Sequence, residues 1–124
     1  MSAADQVQGT ILLAHGSRDP LWREPIEAVA ERIRQLAPAI QVRCAYLEIS
    51  APDLAASSAE LVRLGVRSIT IVPMFLGIGK HARDDLPVLL ASLKASHPQV
   101  AFHLRSAIGE EAQMIELMAR IALS

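Results

Sequence analysis

Several classes of protein are excluded by what this sequence lacks. It holds one cysteine, Cys44, so no internal disulfide can form. That residue sits in the apolar run from Val42 to Leu47 and reads as a small buried hydrophobe. Aromatic residues make up 3% of the chain and the formal net charge is -1, which leaves few rings for base stacking and no basic excess for a phosphate backbone. A nucleic-acid partner is therefore excluded, and any anionic ligand must be met by local basic residues. The longest uncharged apolar stretch, from Ile69 to Gly79, is broken by Pro73 and falls short of the ~20 residues of a membrane helix. No basic region followed by an apolar core occurs in Met1-Ser2-Ala3-Ala4-Asp5-Gln6, so the segment does not read as a secretory signal and the expected compartment is the cytoplasm. Glycine motifs for nucleotides are missing too. A phosphate loop ending at Gly79-Lys80 would need glycine at Met74 and a hydroxyl after Lys80, and the loop after the first apolar run has only Gly16.

With 124 residues, no linker, no repeat and no low-complexity segment, the chain reads as one domain over residues 1–124. Hydrophobic residues make up 52% of it and the mean hydropathy is +0.31, high enough in a small domain to imply apolar surface covered by a second copy. Patterning gives the elements. Thr10 to Ala14 reads as a strand, and Trp22, Ile26, Val29, Ile33 and Leu36 as the buried stripe of a helix stopped by Pro38. A second strand runs from Ile40 to Glu48. Ser50-Ala51-Pro52-Asp53 then announces a helix that ends at Gly65, with Ser50 as its capping hydroxyl. Arg67 to Met74 is a third strand, apolar enough to be buried on both faces. Its loop extends to Asp85, and Leu86, Leu89, Leu90 and Leu93 stripe a third helix with Pro87 in its first turn. Val100 to Ser106 is the fourth strand. Gly109-Glu110-Glu111 opens the last helix, with Met114, Ile115, Leu117, Met118 and Ile121 as its buried stripe. Four successive βα units predict an α/β fold: an open parallel four-stranded sheet with right-handed crossovers and helices on both faces.

In such a sheet every β-to-α loop leaves the same edge, where α/β proteins bind ligands. That edge collects His15, Glu48 and His81. Two imidazoles and a carboxylate suit Co²⁺, Ni²⁺, Fe²⁺ or Zn²⁺, although their spacing is no local metal signature and their convergence depends on the fold. Taken singly, His15 reads equally as a turn residue bonded to backbone, and Glu48 as a solvent-facing strand end. His81 has the least plausible packing role, in a loop rich in glycine and charge. Met74-Phe75-Leu76 runs past its strand toward the same edge and reads as interface or pocket wall. Arg18, Lys80 and Arg83 are basic partners for acids on a planar, mostly apolar ligand, or else a solvated loop. His97 and His103 fall outside the site, at a helix end and inside strand four.

Leu13-Ala14-His15-Gly16-Ser17-Arg18-Asp19, Tyr46-Leu47-Glu48 and the segment from Pro73 to Pro87 together resemble the CbiX/SirB family of sirohydrochlorin chelatases. The resemblance spans essentially the whole chain. It implies the short form, half a class II chelatase in size, which builds its cavity as a homodimer. It also implies a cytoplasmic enzyme that inserts a divalent metal into sirohydrochlorin, with metal-binding and catalytic histidines at His15 and His81 and the accompanying acid at Glu48. The roles of base and ligand stay open between the two histidines. Cobalt for cobalamin is the implied metal, with iron for sirohaem or nickel for a related cofactor as alternatives, and the metal is substrate rather than a permanently bound cofactor. A non-catalytic metal or tetrapyrrole carrier, or a regulatory subunit, is the reading from another class. Lys80 departs from the small residue common before the histidine, and no histidine-rich tail is present.

Overall fold

Alternation of side chains along the strands divides the core into two layers. Ile11 and Leu13 of β1 (Gln8–Ala14) join Ile69 and Ile71 of β3 (Ser68–Pro73) on one face, and Leu12 and Ala14 join Val42 and Tyr46 of β2 (Gln41–Tyr46) on the other. These strands come from a computed structural model that describes residues 7–124; the segment scanned above for a leader, residues 1–6, lies outside the described residues. With β4 (Ala101–Leu104), the strands form a four-stranded parallel sheet in the order β2-β1-β3-β4. The expected fold class is borne out. The first face is covered by α2 (Leu54–Arg63) and α3 (Lys80–Ser96), through Leu54, Leu61, Leu86 and Leu93. The second is covered by α1 (Glu24–Leu36), through Ile26 and Ala30. Fully burying one such leucine stabilises the fold by about 1.5–3 kcal/mol, so these few contacts fix where the helices lie.

The element boundaries differ from the sequence reading in ways that matter for the site. α3 begins at Lys80, not after Asp85, because the apolar stripe extends one turn earlier: Ala82 is buried four residues before Leu86. His81, Arg83 and Asp85 are therefore helical. Pro87 lies inside the helix rather than in its first turn, at the cost of the bond its nitrogen would donate to the Arg83 carbonyl. β2 stops at Tyr46, which leaves Glu48 in the following connection. Asp53, not Ser50, caps α2, its carboxylate accepting from the Ala56 N–H at 2.8 Å.

α4 (Ala112–Leu123) corrects a further expectation, since none of its residues is buried. Ile115, Leu117 and Ile121 are 54%, 49% and 63% exposed, because the described chain offers them nothing to pack against. Trp22 and Val29 are likewise open, and with Ala14, Pro25, Ile26 and Met74 they line an apolar hollow of about 360 Å³. Cys44 is half-buried on the same face, its thiol 3.8 Å from the Ile26 carbonyl oxygen. Burial first, and then the Glu27 carboxylate, hold that thiol above its ordinary pKa. The Tyr46 hydroxyl is raised as well, mainly by burial and next by Cys44. His103 is exposed on its strand, and His97 caps α3 with its ring tilted against Phe102. No helix among the described residues is long and apolar enough to cross a membrane.

Candidate functional site

In the order β2-β1-β3-β4 the chain steps one way from β1 to β2 and the other way from β1 to β3. The crevice at the carboxyl ends of β1 and β3 is thus a topological switch point, the usual ligand site of an open α/β sheet. His15 follows β1 directly, and β3 leads through residues 74–79 into α3, whose second residue is His81.

Parallel pairing continues past the strand ends and sets the neighbours. Leu47 N–H donates to the Ala14 carbonyl at 2.9 Å, and Glu48 N–H to the His15 carbonyl at 2.9 Å, which places Glu48 beside His15. Gly16 permits that approach. Its φ is +117°, and a Cβ there would overlap the Glu48 carbonyl oxygen, so both conformation and space require glycine. Ser50 fastens the two loops further: its hydroxyl donates to the Ser17 carbonyl at 2.8 Å and accepts from the Ser17 N–H at 3.1 Å. Between Glu48 and Ser50, Ile49 takes a φ of 68° inside a tight turn closed by the Ser50 N–H on the Glu48 carbonyl at 2.6 Å. A β-branched residue there is strained, and strain of this kind collects at functional sites.

Phe75 supports the opposite side. It is 6% exposed, packs with Ala82 and Ala107, and stacks on the His15 ring with centroids 4.3 Å apart and planes 24° from parallel. One buried ring thus touches His15 and also the helix residue next to His81. Its carbonyl accepts from the Gly109 N–H at 2.9 Å, and Gly109 lies so close to the Leu76 backbone that any Cβ would collide with it.

The product is a cleft of about 400 Å³ whose polar lining is His15, Glu48, His81 and Asp85 and whose apolar walls are Leu47, Ala82, Val88 and Leu89. The three residues expected at the site therefore share one cleft. Among the described residues, none of the four polar side chains has a hydrogen-bond or ion-pair partner. Nor do any three His, Cys, Asp or Glu side chains among the described residues form a ready-made metal cage. The arrangement is an open bowl that presents imidazole and carboxylate groups, donor types that borderline divalent metals accept.

Other expected residues lie elsewhere. Phe75 is beneath His15 rather than on the cleft surface, Leu76 is 72% exposed at the loop tip, and Met74 faces the hollow on the α1 side. Arg18, Lys80 and Arg83 are exposed outside the cleft lining, with Lys80 paired to Asp84 at 3.1 Å. Asp85, Val88 and Leu89 were missed as lining residues. The signal for Asp85 is its place four residues after His81, which becomes informative once both are on one helix.

Comparison with known proteins accounts for this geometry. The model of the CbiX family matches residues 9–122. The sirohydrochlorin cobaltochelatase of Methanothermobacter thermautotrophicus is 35% identical over 82 residues, which cover 66% of this chain and 57% of that protein. The chain thus spans little more than half the length of that relative. The crystal structure of a CbiX protein from Marinobacter aquaeolei VT8 is 34% identical and superposes with a TM-score of 0.81 over 95% of this chain and 93% of that one. The sirohydrochlorin chelatase SirB from Bacillus subtilis subspecies spizizenii, solved in complex with cobalt, shares the fold at 22% identity, with a TM-score of 0.77 over 93% of this chain and 50% of that one. Since the matched residues run through nearly the whole chain and include the entire lining of the cleft, this chain belongs to the CbiX family.

Proposed function

We propose that the protein is a sirohydrochlorin chelatase that inserts a divalent metal, cobalt for cobalamin synthesis, into the macrocycle. The observation that carries this reading is the convergence of His15, Glu48 and His81 on one cleft at the switch point of the sheet. Support comes from the cobaltochelatase relative and from the cobalt complex of the longer fold neighbour. Metal insertion needs three things of a site. Two pyrrole protons must leave, the metal must trade solvent for ring nitrogens, and the macrocycle must be held against a shaped wall. A histidine accepts a proton near neutral pH, and two of them, His15 and His81, line the bowl. Imidazole and carboxylate donors suit the borderline divalent metals, and those of the cleft face open space from which a metal can pass to an acceptor. Leu47, Val88 and Leu89 supply the wall. Outside the cleft lining, the exposed Arg18 and Arg83 are candidates to meet the carboxylates of the substrate, and Lys80 can join them by exchanging its exposed pair with Asp84.

Two copies complete the catalyst in this reading. The fold covers half of the SirB chain, and the open stripe of α4 supplies apolar surface for an interface. The discriminating experiment follows sirohydrochlorin absorbance with the purified protein and Co²⁺, Ni²⁺ or Fe²⁺ in turn. Acceleration over the protein-free reaction, greatest with Co²⁺, is the expected result. Binding of the macrocycle without acceleration by any of the three would replace the enzyme with a carrier.

A further inference from the structure

Asp84 and Asp85 are adjacent, both exposed and both on the early part of α3, yet they differ in surroundings. Asp84 is paired with Lys80 at 3.1 Å. Asp85 lines the cleft beside His81 and, among the described residues, has no hydrogen-bond or ion-pair partner. The reason is helical geometry. Residues four apart stand one above the other on a helix face, with Cβ atoms about 5–6 Å apart, so Lys80 reaches Asp84, while His81 and Asp85 stand one turn apart on a neighbouring face without bonding to each other. The same spacing lets two side chains of one helix share a cation, as paired histidines do in helical zinc motifs.

We propose that His81 and Asp85 form a two-ligand capture site on α3 for the incoming divalent metal. An imidazole nitrogen and a carboxylate oxygen suit the borderline metals of the cobalt, nickel and iron group. Two ligands leave the remaining positions to water and then to the donors of an acceptor molecule. Asp85 lies one turn further along α3 than His81, on the wall formed with Val88 and Leu89, so it extends the donor set away from the sheet edge. The inference rests on the chelatase reading only for the idea that metal is a substrate.

The test is calorimetric titration of Co²⁺ into the protein with no tetrapyrrole present, so its outcome is independent of whether sirohydrochlorin is the acceptor. Asp85→Asn is expected to weaken Co²⁺ binding roughly tenfold or more, the scale on which even the outer partners of a metal matter. Asp84→Asn, which removes the same charge one position away, is expected to stay within about twofold, and Asp85→Glu to retain most of the affinity. His81→Ala combined with Asp85→Asn should cost less than the sum of the single effects, because the two groups hold one ion. Unchanged binding by folded Asp85→Asn, or equal weakening by Asp84→Asn, would overturn the proposal; the second result would reduce it to bulk charge.

Discussion

His15 depends on a residue that never reaches the cleft surface. The stack with Phe75 fixes the plane of its imidazole, and the same ring presses on Ala82 next to His81. Phe75→Leu keeps an apolar side chain of similar size but removes the flat partner. Its stability cost should be about 1 kcal/mol. Turnover should fall by roughly tenfold or more, because a mispositioned catalytic group loses rate steeply. Steady-state kinetics beside a thermal melt separates the two effects, and unchanged kcat would remove the positioning role. The histidines and Glu48 were legible in the sequence because each follows a strand-like run, and a parallel sheet sends all such loops to one edge. Phe75 follows β3 toward that edge, but the direction of its side chain is not readable from the sequence. Whether a side chain after a strand points into the cleft or beneath it depends on what arrives from the other loops, here Gly109 against the Leu76 backbone.

Among the elements, the strands and their order of βα alternation were readable from apolar runs, while helix starts were not. Ser50 and Asp53 both look like caps in the sequence, and only the fold separates them. Asp53 caps α2, whereas Ser50 joins the His15 and Glu48 loops. Asp53→Ala should therefore lower stability by about 1 kcal/mol and leave activity of the folded protein near normal. Ser50→Ala should instead show its main effect in turnover, since it frees the connection that carries Glu48. Chemical denaturation and activity measured on both variants check the division, and a reversal of the two patterns would contradict it. α3 shows a second limit of sequence reading. The sequence reads as a loop through Asp85 with Pro87 in the first helical turn, but the burial of Ala82 draws the helix back to Lys80, and with it His81 and Asp85 onto α3.

For the whole molecule, α4 shows why the hydrophobic pattern alone misled. Its period was read correctly as a helix, but a stripe reveals that a face is to be covered and not by what. A helix of 12 residues is marginal in water without packing, and none of its residues is buried here. In the homodimer of the proposed function this stripe lies at the interface, which should exceed roughly 1,000 Å². Leu117→Glu with Ile121→Glu should shift sedimentation at micromolar concentration from dimer to monomer and reduce activity. A dimer that persists would place the contact on another face. The central claim is that the cleft holding His15, Glu48 and His81 performs metal insertion, and the most direct measurement is the rate of Co²⁺ incorporation into sirohydrochlorin by wild type and His81→Ala. His81 is exposed at the start of α3, so the variant should keep the wild-type fold and nearly its melting temperature. The account predicts a loss of roughly 100-fold or more in turnover, as expected when a positioned acid-base or ligand group is removed. Near-wild-type insertion by the folded variant would contradict it.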